Sequence, residues 1–450
     1  MLMIARLFKY TILLCLLTLV GCTKLPFQLE SDQQVSMPTP EAGLPTTLLA
    51  TLTAEESITP NTPGETEAIT HPVEGATIRI WLPPEFDPSA NSPASQLLKA
   101  RLDEFEAENP GIELEVRVKA VDGTGGLLDA LASANAAAPL ALPDLVLLPR
   151  PLLESAALKG LLYPYDGLSS LVDDPSWFEY ARQLARLEAS IYGMPFAGDA
   201  MAMTYHPSRI GNPPNSLEAA ISLGEVLLFP AADPQALFTL CMYLATGESL
   251  QDAEGRPSLD KDTLTNILEI YQHASQVGVM PYWITQYSND EQVWEAFMGE
   301  QFPMAVTWAS TYMEHKLNAT ADLSLAPLPT PDGIPFTLAT GWSWALAGQD
   351  PERRALSVQL AEFLVEKEFL ASWTYAAGYL PPRVDALRGW HGADLRQMVE
   401  QISYSAQLMS PADLIASIGP AMEQAVVDVL KAQSDPQSAA QTAIDQINKP

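Results

Sequence analysis

Thr77-Ile78-Arg79-Ile80-Trp81-Leu82 sets Ile78, Ile80 and Leu82 on one side of an extended chain, the period-two pattern of a strand. After Pro83-Pro84, Ser92 followed by Pro93 reads as an N-cap with proline at the first helical position. Leu98, Leu102 and Phe105 then recur at helical spacing until Asn109-Pro110-Gly111 stops the helix. Ile112, Leu114, Val116 and Val118 alternate again. Strand, helix and strand in this order form a βαβ unit, whose two strands run parallel with a right-handed crossover.

Working outward, the alternation continues. A Gly-rich turn at 122–126 precedes an Ala/Leu helix at 127–137, an apolar strand at 144–148 and a helix at 152–159 ended by Gly160. The folded part therefore opens as an α/β sheet. Past Met194 helices dominate. Leu264, Ile267, Leu268 and Tyr271 make a stripe stopped by Gly278; a helix at 291–298 stops at Gly299; 302–308 returns to strand. Helices follow at 355–369 and 421–432, and Asp435-Pro436 opens a last one. This half fits a second, helix-decorated α/β lobe.

The chain has 450 residues, and 24 Lys+Arg against 55 Asp+Glu give a net charge of −31. With 47% apolar residues it can fill the cores of two or three domains. A pI near 4.3 argues against nucleic acid and against anionic membrane surfaces, which need clustered cations. Residues 1–21 read as an export signal, with Arg6 and Lys9 ahead of a short apolar run. Leu19-Val20-Gly21-Cys22 is similar to the lipobox of bacterial lipoproteins, so Cys22 is the expected lipidation point. Residues 22–74, rich in Pro and Thr, read as a disordered tether with a reach of about 40 Å. Cys241 is then the one thiol left in the body, expected to be buried and apolar.

Catalytic machinery is scarce. His71, His206, His273, His315 and His391 are not paired at zinc spacing. Gly341-Trp342-Ser343-Trp344-Ala345 lacks the last glycine of a nucleophile elbow, and Ser258-Leu259-Asp260-Lys261 sits at a helix start where Ser and Asp serve as caps. Gly123-Thr124-Gly125-Gly126 lacks the Lys-Ser/Thr of a phosphate loop. Asp260 and Asp262 are too few for a calcium loop. A carboxylate pair of the glycosidase kind stays open, since its members can lie far apart in the chain. Aromatic residues are plentiful by contrast. Trp308, Tyr312, Trp342, Trp344, Trp373, Tyr375 and Tyr379 lie close together in the chain, and aromatic faces suit the flat C–H faces of sugars. Trp373, in line with Phe369, reads as core; Trp342 and Trp344 share a strand face.

From about Ala76 to Lys449 the body resembles the extracellular solute-binding proteins of ABC importers, family 1, the maltose-binding-protein type. The likeness is carried by Leu102-Asp103-Glu104-Phe105 through Ile112, by Leu142-Pro143-Asp144-Leu145-Val146, and by Tyr192-Gly193-Met194-Pro195-Phe196 with Ala202-Met203-Thr204-Tyr205. Further along, Gly299 to Val306 with Trp308, Pro327-Leu328-Pro329 with Gly333 and Gly341-Trp342, and Gly378-Tyr379-Leu380-Pro381 appear in the family's order. Pro303 departs from the family's alanine, and Pro214-Asn215-Ser216-Leu217-Glu218 keeps only the outline of its helix start.

The resemblance implies a two-lobe periplasmic-binding-protein-like fold (type II), each lobe an α/β sheet domain, joined by a multi-segment hinge. Lobe 1 would take 75–202 and 340–378, and lobe 2 203–339 and 379–450. It implies a lipid-anchored extracytoplasmic monomer that captures a solute, a sugar or oligosaccharide, for ABC permease subunits. No catalysis, cofactor or metal is expected, and the membrane is met through the lipid alone. Trp308 and Trp342 would stack on the ligand, with Trp344 or Tyr379 beside them. Asp199, Arg150 and Glu85 would hydrogen-bond its hydroxyls, and Arg383 would bind or pin the hinge. A lipid-anchored glycan hydrolase and a sensor subunit on the same fold are the alternatives.

Overall fold

The computed structural model describes residues 75–299, 301–318 and 322–449. The export signal, Cys22, the tether and His71 lie outside the described residues. Eleven strands are described: β1 Ala76–Leu82, β2 Ile112–Val118, β3 Leu145–Pro149, β4 Arg186–Leu187, β5 Ser190–Ile191, β6 Met194–Tyr205, β7 Leu227–Leu228, β8 Met304–Trp308, β9 Ser324–Ala326, β10 Thr337–Leu346 and β11 Ala406–Leu408.

Local chemistry explains the first lobe. Ser92 accepts the Ser95 N–H and caps the helix Pro93–Glu108, which buries Leu98, Leu102 and Phe105. β1 and β2 pair parallel from Ala76↔Ile112 to Leu82↔Val118. β3 follows the helix Leu127–Ala137 and joins β1 on its other side, also parallel. Leu145, Val146, Leu147 and Leu148 are fully buried, as a parallel strand covered on both faces requires.

The sheet runs β2-β1-β3-β10-β6-β8-β7, with β11 beside β10 and β9 beside β6, while β4 and β5 form a separate hairpin. β6 carries the architecture. Its residues 194–200 pair antiparallel with β10, and residues 201–205 pair antiparallel with β8. One sheet half is thus β2-β1-β3-β10-β6 and the other β6-β8-β7 with β9. The fold is a two-lobe α/β fold whose lobes share the continuous strand β6.

Two close approaches make the crossing possible. A Cβ on Gly341 would lie 2.4 Å from the Ala197 carbonyl oxygen, and one on Gly198 2.1 Å from the Tyr180 hydroxyl. Only hydrogen fits at either position. The crossing continues at Leu380, which exchanges two backbone hydrogen bonds with Gly198, each 2.8 Å. Residues 380–384, expected to begin the return to the second lobe, also bond to the first: Phe178 N–H to Pro382 O and Val384 N–H to Ser176 O.

Helices depart from the sequence expectations in two places. The stripe expected as one helix at 355–369 is two, Pro351–Leu364 and Lys367–Ala377, because Glu366 is extended and restarts the chain direction. The helix expected from 421 begins at Ala412 and passes through Pro420, which forfeits one backbone bond without ending the helix. Cys241 is fully buried in the apolar helix Leu237–Ala245, and burial pushes its thiol up to about 12.

Candidate functional site

In open α/β sheets the ligand crevice lies outside the carboxyl ends of parallel strands, where the strand order reverses. In the first lobe that point falls between β1 and β3, since β2 lies on one side of β1 and β3 on the other. Beyond β1 comes the short turn Pro84–Phe86, and beyond β3 the helix Arg150–Leu158. In the second lobe the parallel pair β7 and β8 ends at Leu228 and Trp308.

Register brings these ends together. Pro149 stands opposite Trp342, and Trp342 opposite Ala197. Trp308 stands opposite Met201. The carboxyl edges of both lobes therefore face each other across residues 198–200 of β6, and Asp199 is central.

Asp199 is half-buried. Its carboxylate accepts the Ser310 N–H at 3.0 Å, the Ser310 hydroxyl, and its own neighbour's N–H, Ala200, at 2.9 Å. Burial nevertheless pushes it up to about 7, opposed by the Ser310 bonds and reinforced by Asp290. Asp290 starts the helix Asp290–Met298 and accepts the Trp308 indole N–H at 2.8 Å. Burial raises it to about 6, with Asp233 adding to the rise.

Rings form the other wall. Phe86 packs edge-on to Trp342 at 4.9 Å and stacks on Tyr379 at 5.6 Å. Burial holds the Tyr379 hydroxyl well above its ordinary range, helped by Asp199, Glu85 and Glu314. Tyr180 is likewise raised by burial and by Asp199. Trp308, Trp342 and Tyr379 are all half-buried, so each keeps an accessible face.

The structure thus gathers Asp199, Trp342, Tyr379 and Glu85, with Trp308 joined through Asp290. The other sequence candidates are occupied elsewhere. Arg150 donates to Glu154 at 2.7 Å and to the carbonyl oxygens of Gln183, Leu184 and Arg186, so its guanidinium is spent inside the first lobe. Trp344 is fully buried against Phe196. Arg383 donates to Ser176 and the Val365 carbonyl, pairs with Asp174 at 3.5 Å, and lies over Trp177. It fastens the segment after Leu380 to the first lobe.

Sequence reasoning missed Asp290, Ser310, Asp233 and Phe86. Ser310 stood two residues beyond Trp308, inside a stretch already singled out; Asp290 carried no signal beyond a helix start.

A cavity of about 490 Å³ is lined by Arg150, Pro151, Glu154, Gln251, Pro257 and Asp413. A larger groove of about 820 Å³, lined by Pro213, Pro327, Met398 and Tyr404, includes none of the residues around Asp199. Among the described residues no group of three or more His, Cys, Asp or Glu could hold a metal ion, and no helix is long and apolar enough to cross a membrane.

A family model described as bacterial extracellular solute-binding protein matches residues 100–394. Curated protein sequences give no match. Among solved structures, the cyclic alpha-maltosyl-1,6-maltose binding protein of Arthrobacter globiformis is 15% identical with a TM-score of 0.68, over 83% of this chain and 98% of that one. The sugar-binding protein MalE of Xanthomonas citri is 19% identical with a TM-score of 0.68, over 83% and 97%. A cyclo/maltodextrin-binding protein complexed with maltotetraose is 20% identical with a TM-score of 0.66, over 83% and 97%. At these identities the likeness is one of fold.

Proposed function

The chain belongs to the bacterial extracellular solute-binding proteins, and from that premise we propose that it captures a saccharide between its lobes and delivers it to an ABC permease. The observation that carries the reading is that the two carboxyl edges face across Asp199, with Trp342 and Tyr379 packed on Phe86 at one edge and Trp308 ending the strand at the other. Aromatic faces cover the apolar side of a sugar ring, and carboxylates accept from its hydroxyls. The named ligands of the similar folds, maltose-type sugars, point the same way. Closure over the ligand shifts a two-state equilibrium that a permease can read.

On this reading Cys22 carries a lipid, residues 23–74 tether the body to the extracytoplasmic face of the membrane, and tethering raises its concentration near the permease. The protein works as a monomer and transforms nothing. The test is the melting temperature of residues 69–450, one compact unit, against mono- and oligosaccharides. Saturation at a hundred times the dissociation constant stabilises by about 2.7 kcal/mol. A shift with the sugar recovered intact supports the proposal; consumption of the sugar, or no shift with any saccharide, overturns it.

A further inference from the structure

We propose that Asp290 is a positioning residue of this site: it acts through Trp308, accepting the indole N–H so that the ring keeps one orientation and offers its face to the sugar. This rests on the saccharide-binding reading above and assigns the group that orients the second lobe's platform.

The bond itself is the first observation. Trp308 is the last residue of β8, and its indole Nε1 donates to Asp290 Oδ2 at 2.8 Å. Among the described residues Asp290 makes no ion pair and accepts from no other donor. No other aromatic ring packs on Trp308 among them either. The first lobe's platform is held differently. Trp342 lies edge-on to Phe86 at 4.9 Å, and Phe86 stacks in turn on Trp373 and Tyr379, each at 5.6 Å. Trp308 lacks such neighbours, so its hydrogen bond is the restraint on its plane.

The acceptor is anchored where the ring is not. Asn289 caps the helix Asp290–Met298 by accepting the Gln292 N–H at 3.0 Å, and Gln292 accepts the Ser288 N–H at 2.8 Å in return. One turn beyond Asp290, the Trp294 indole donates to His315 Nε2 at 3.0 Å. Phe297 stacks on His206 at 4.5 Å. The helix start is therefore fixed to the lobe, and the indole must follow the carboxylate.

Folding alone does not call for a carboxylate here. Burial pushes Asp290 up to about 6, so its charge is kept against a desolvation cost that a neutral side chain would not carry. What the charge gives is a bond about twice as strong as a neutral one. It also takes the indole N–H away from ligand hydroxyls and leaves the π face, which suits the C–H side of a sugar ring. A binding group needs that kind of support to hold its angle.

The experiment is titration calorimetry of residues 69–450 with maltotriose, or with the saccharide that shifts the melting temperature most. Asp290→Ala should weaken binding about tenfold, and Asp290→Asn, which keeps an acceptor, should restore it to within about threefold of the parent. Both should melt no lower than the parent at pH 7.5; Asp290→Ser, too short to reach the indole, replaces the alanine variant if that one does not fold. Once Trp308→Phe has removed the donor, Asp290→Ala should weaken binding no further. In a 1H–15N spectrum the indole resonance that Trp308→Phe deletes should move upfield in Asp290→Ala. Parent-like affinity in Asp290→Ala, or an unmoved resonance, would overturn the proposal and leave the saccharide reading intact. Asp290→Asn as weak as Asp290→Ala, or a loss that persists beside Trp308→Phe, would put Asp290 on the ligand itself and overturn it too. Silence from every saccharide with the parent protein would sink the proposed function, and this inference with it.

Discussion

Asp199, midway along β6, accepts the backbone N–H of Ser310 at 3.0 Å, and the Ser310 hydroxyl donates to its other oxygen. A strand shared by both lobes is thereby bonded to the first turn of the helix that follows Trp308. A carboxylate at a helix N-terminus is favoured by the backbone dipole. Desolvation acts against that benefit, and it is the larger influence on Asp199.

That balance has a pH signature. Asp199 is raised to about 7 in the folded protein, and its unfolded value lies near 4. Between those values the folded state holds a proton that the unfolded state has lost, so this group's contribution to stability is greatest below about pH 4 and is lost as pH rises through about 7. Asp199→Asn keeps an acceptor for Ser310 without the charge. Its melting temperature at pH 8 should equal or exceed the parent's, and the parent's decline between pH 5 and 8 should flatten. An unaltered slope would assign that decline to other groups.

Trp308→Ala and Trp342→Ala should each weaken ligand binding at least about tenfold, the loss of one well-packed ring face. Both rings are half-buried, so the fold should survive. Trp344→Ala should do the opposite. Its ring is fully buried, and its loss should cost about 3–5 kcal/mol in urea unfolding while the folded fraction still binds. Reversal of the two phenotypes would exchange their assignments.

Arg150→Met should behave as a core lesion. It leaves Glu154 buried without its cation and removes a donor from the carbonyls of Gln183, Leu184 and Arg186. Breaking such a pair costs about 3–5 kcal/mol, and the double change Arg150→Met with Glu154→Leu should recover part of it. A stable single variant with lost ligand binding would instead put the guanidinium on the ligand.

Gly198→Ala drives a methyl group into the Tyr180 hydroxyl, 2.1 Å from the ideal Cβ position. Overpacking of this kind costs about 1–3 kcal/mol. Tyr180→Phe removes the nearest atom but leaves ring carbons 2.8 and 2.9 Å away, so rescue should be partial. A double-mutant cycle measures it; strict additivity would show that the two side chains do not meet.

The βαβ opening was legible because each signal was local. Alternation made β1 and β2, Ser92-Pro93 started the helix, and Asp260 and Asp435 cap later helices as their positions suggested. The site was less legible. Trp342 and Trp344 lie two apart and should face alike, but the pairing of β10 with β6 shifts between Trp342 and Ser343, and only Trp342 stays accessible. Arg150 follows the expected strand, yet its fate was set by carbonyls more than thirty positions away. Asp290 is one of 55 acidic residues, and nothing local marks a carboxylate whose importance comes from Trp308 and Asp199.

β10 inserts between β3 and β6, although it is residues 337–346 and they end at 149 and 205. A nascent chain that has already emitted both neighbours still lacks the strand that joins them. The first lobe cannot close its sheet until most of the polypeptide exists, and such distant pairings form slowly because loop entropy is lost before contacts repay it. For a member of an extracellular family that delay is useful. A chain slow to fold stays extended for longer, the state in which a polypeptide can be passed through a membrane.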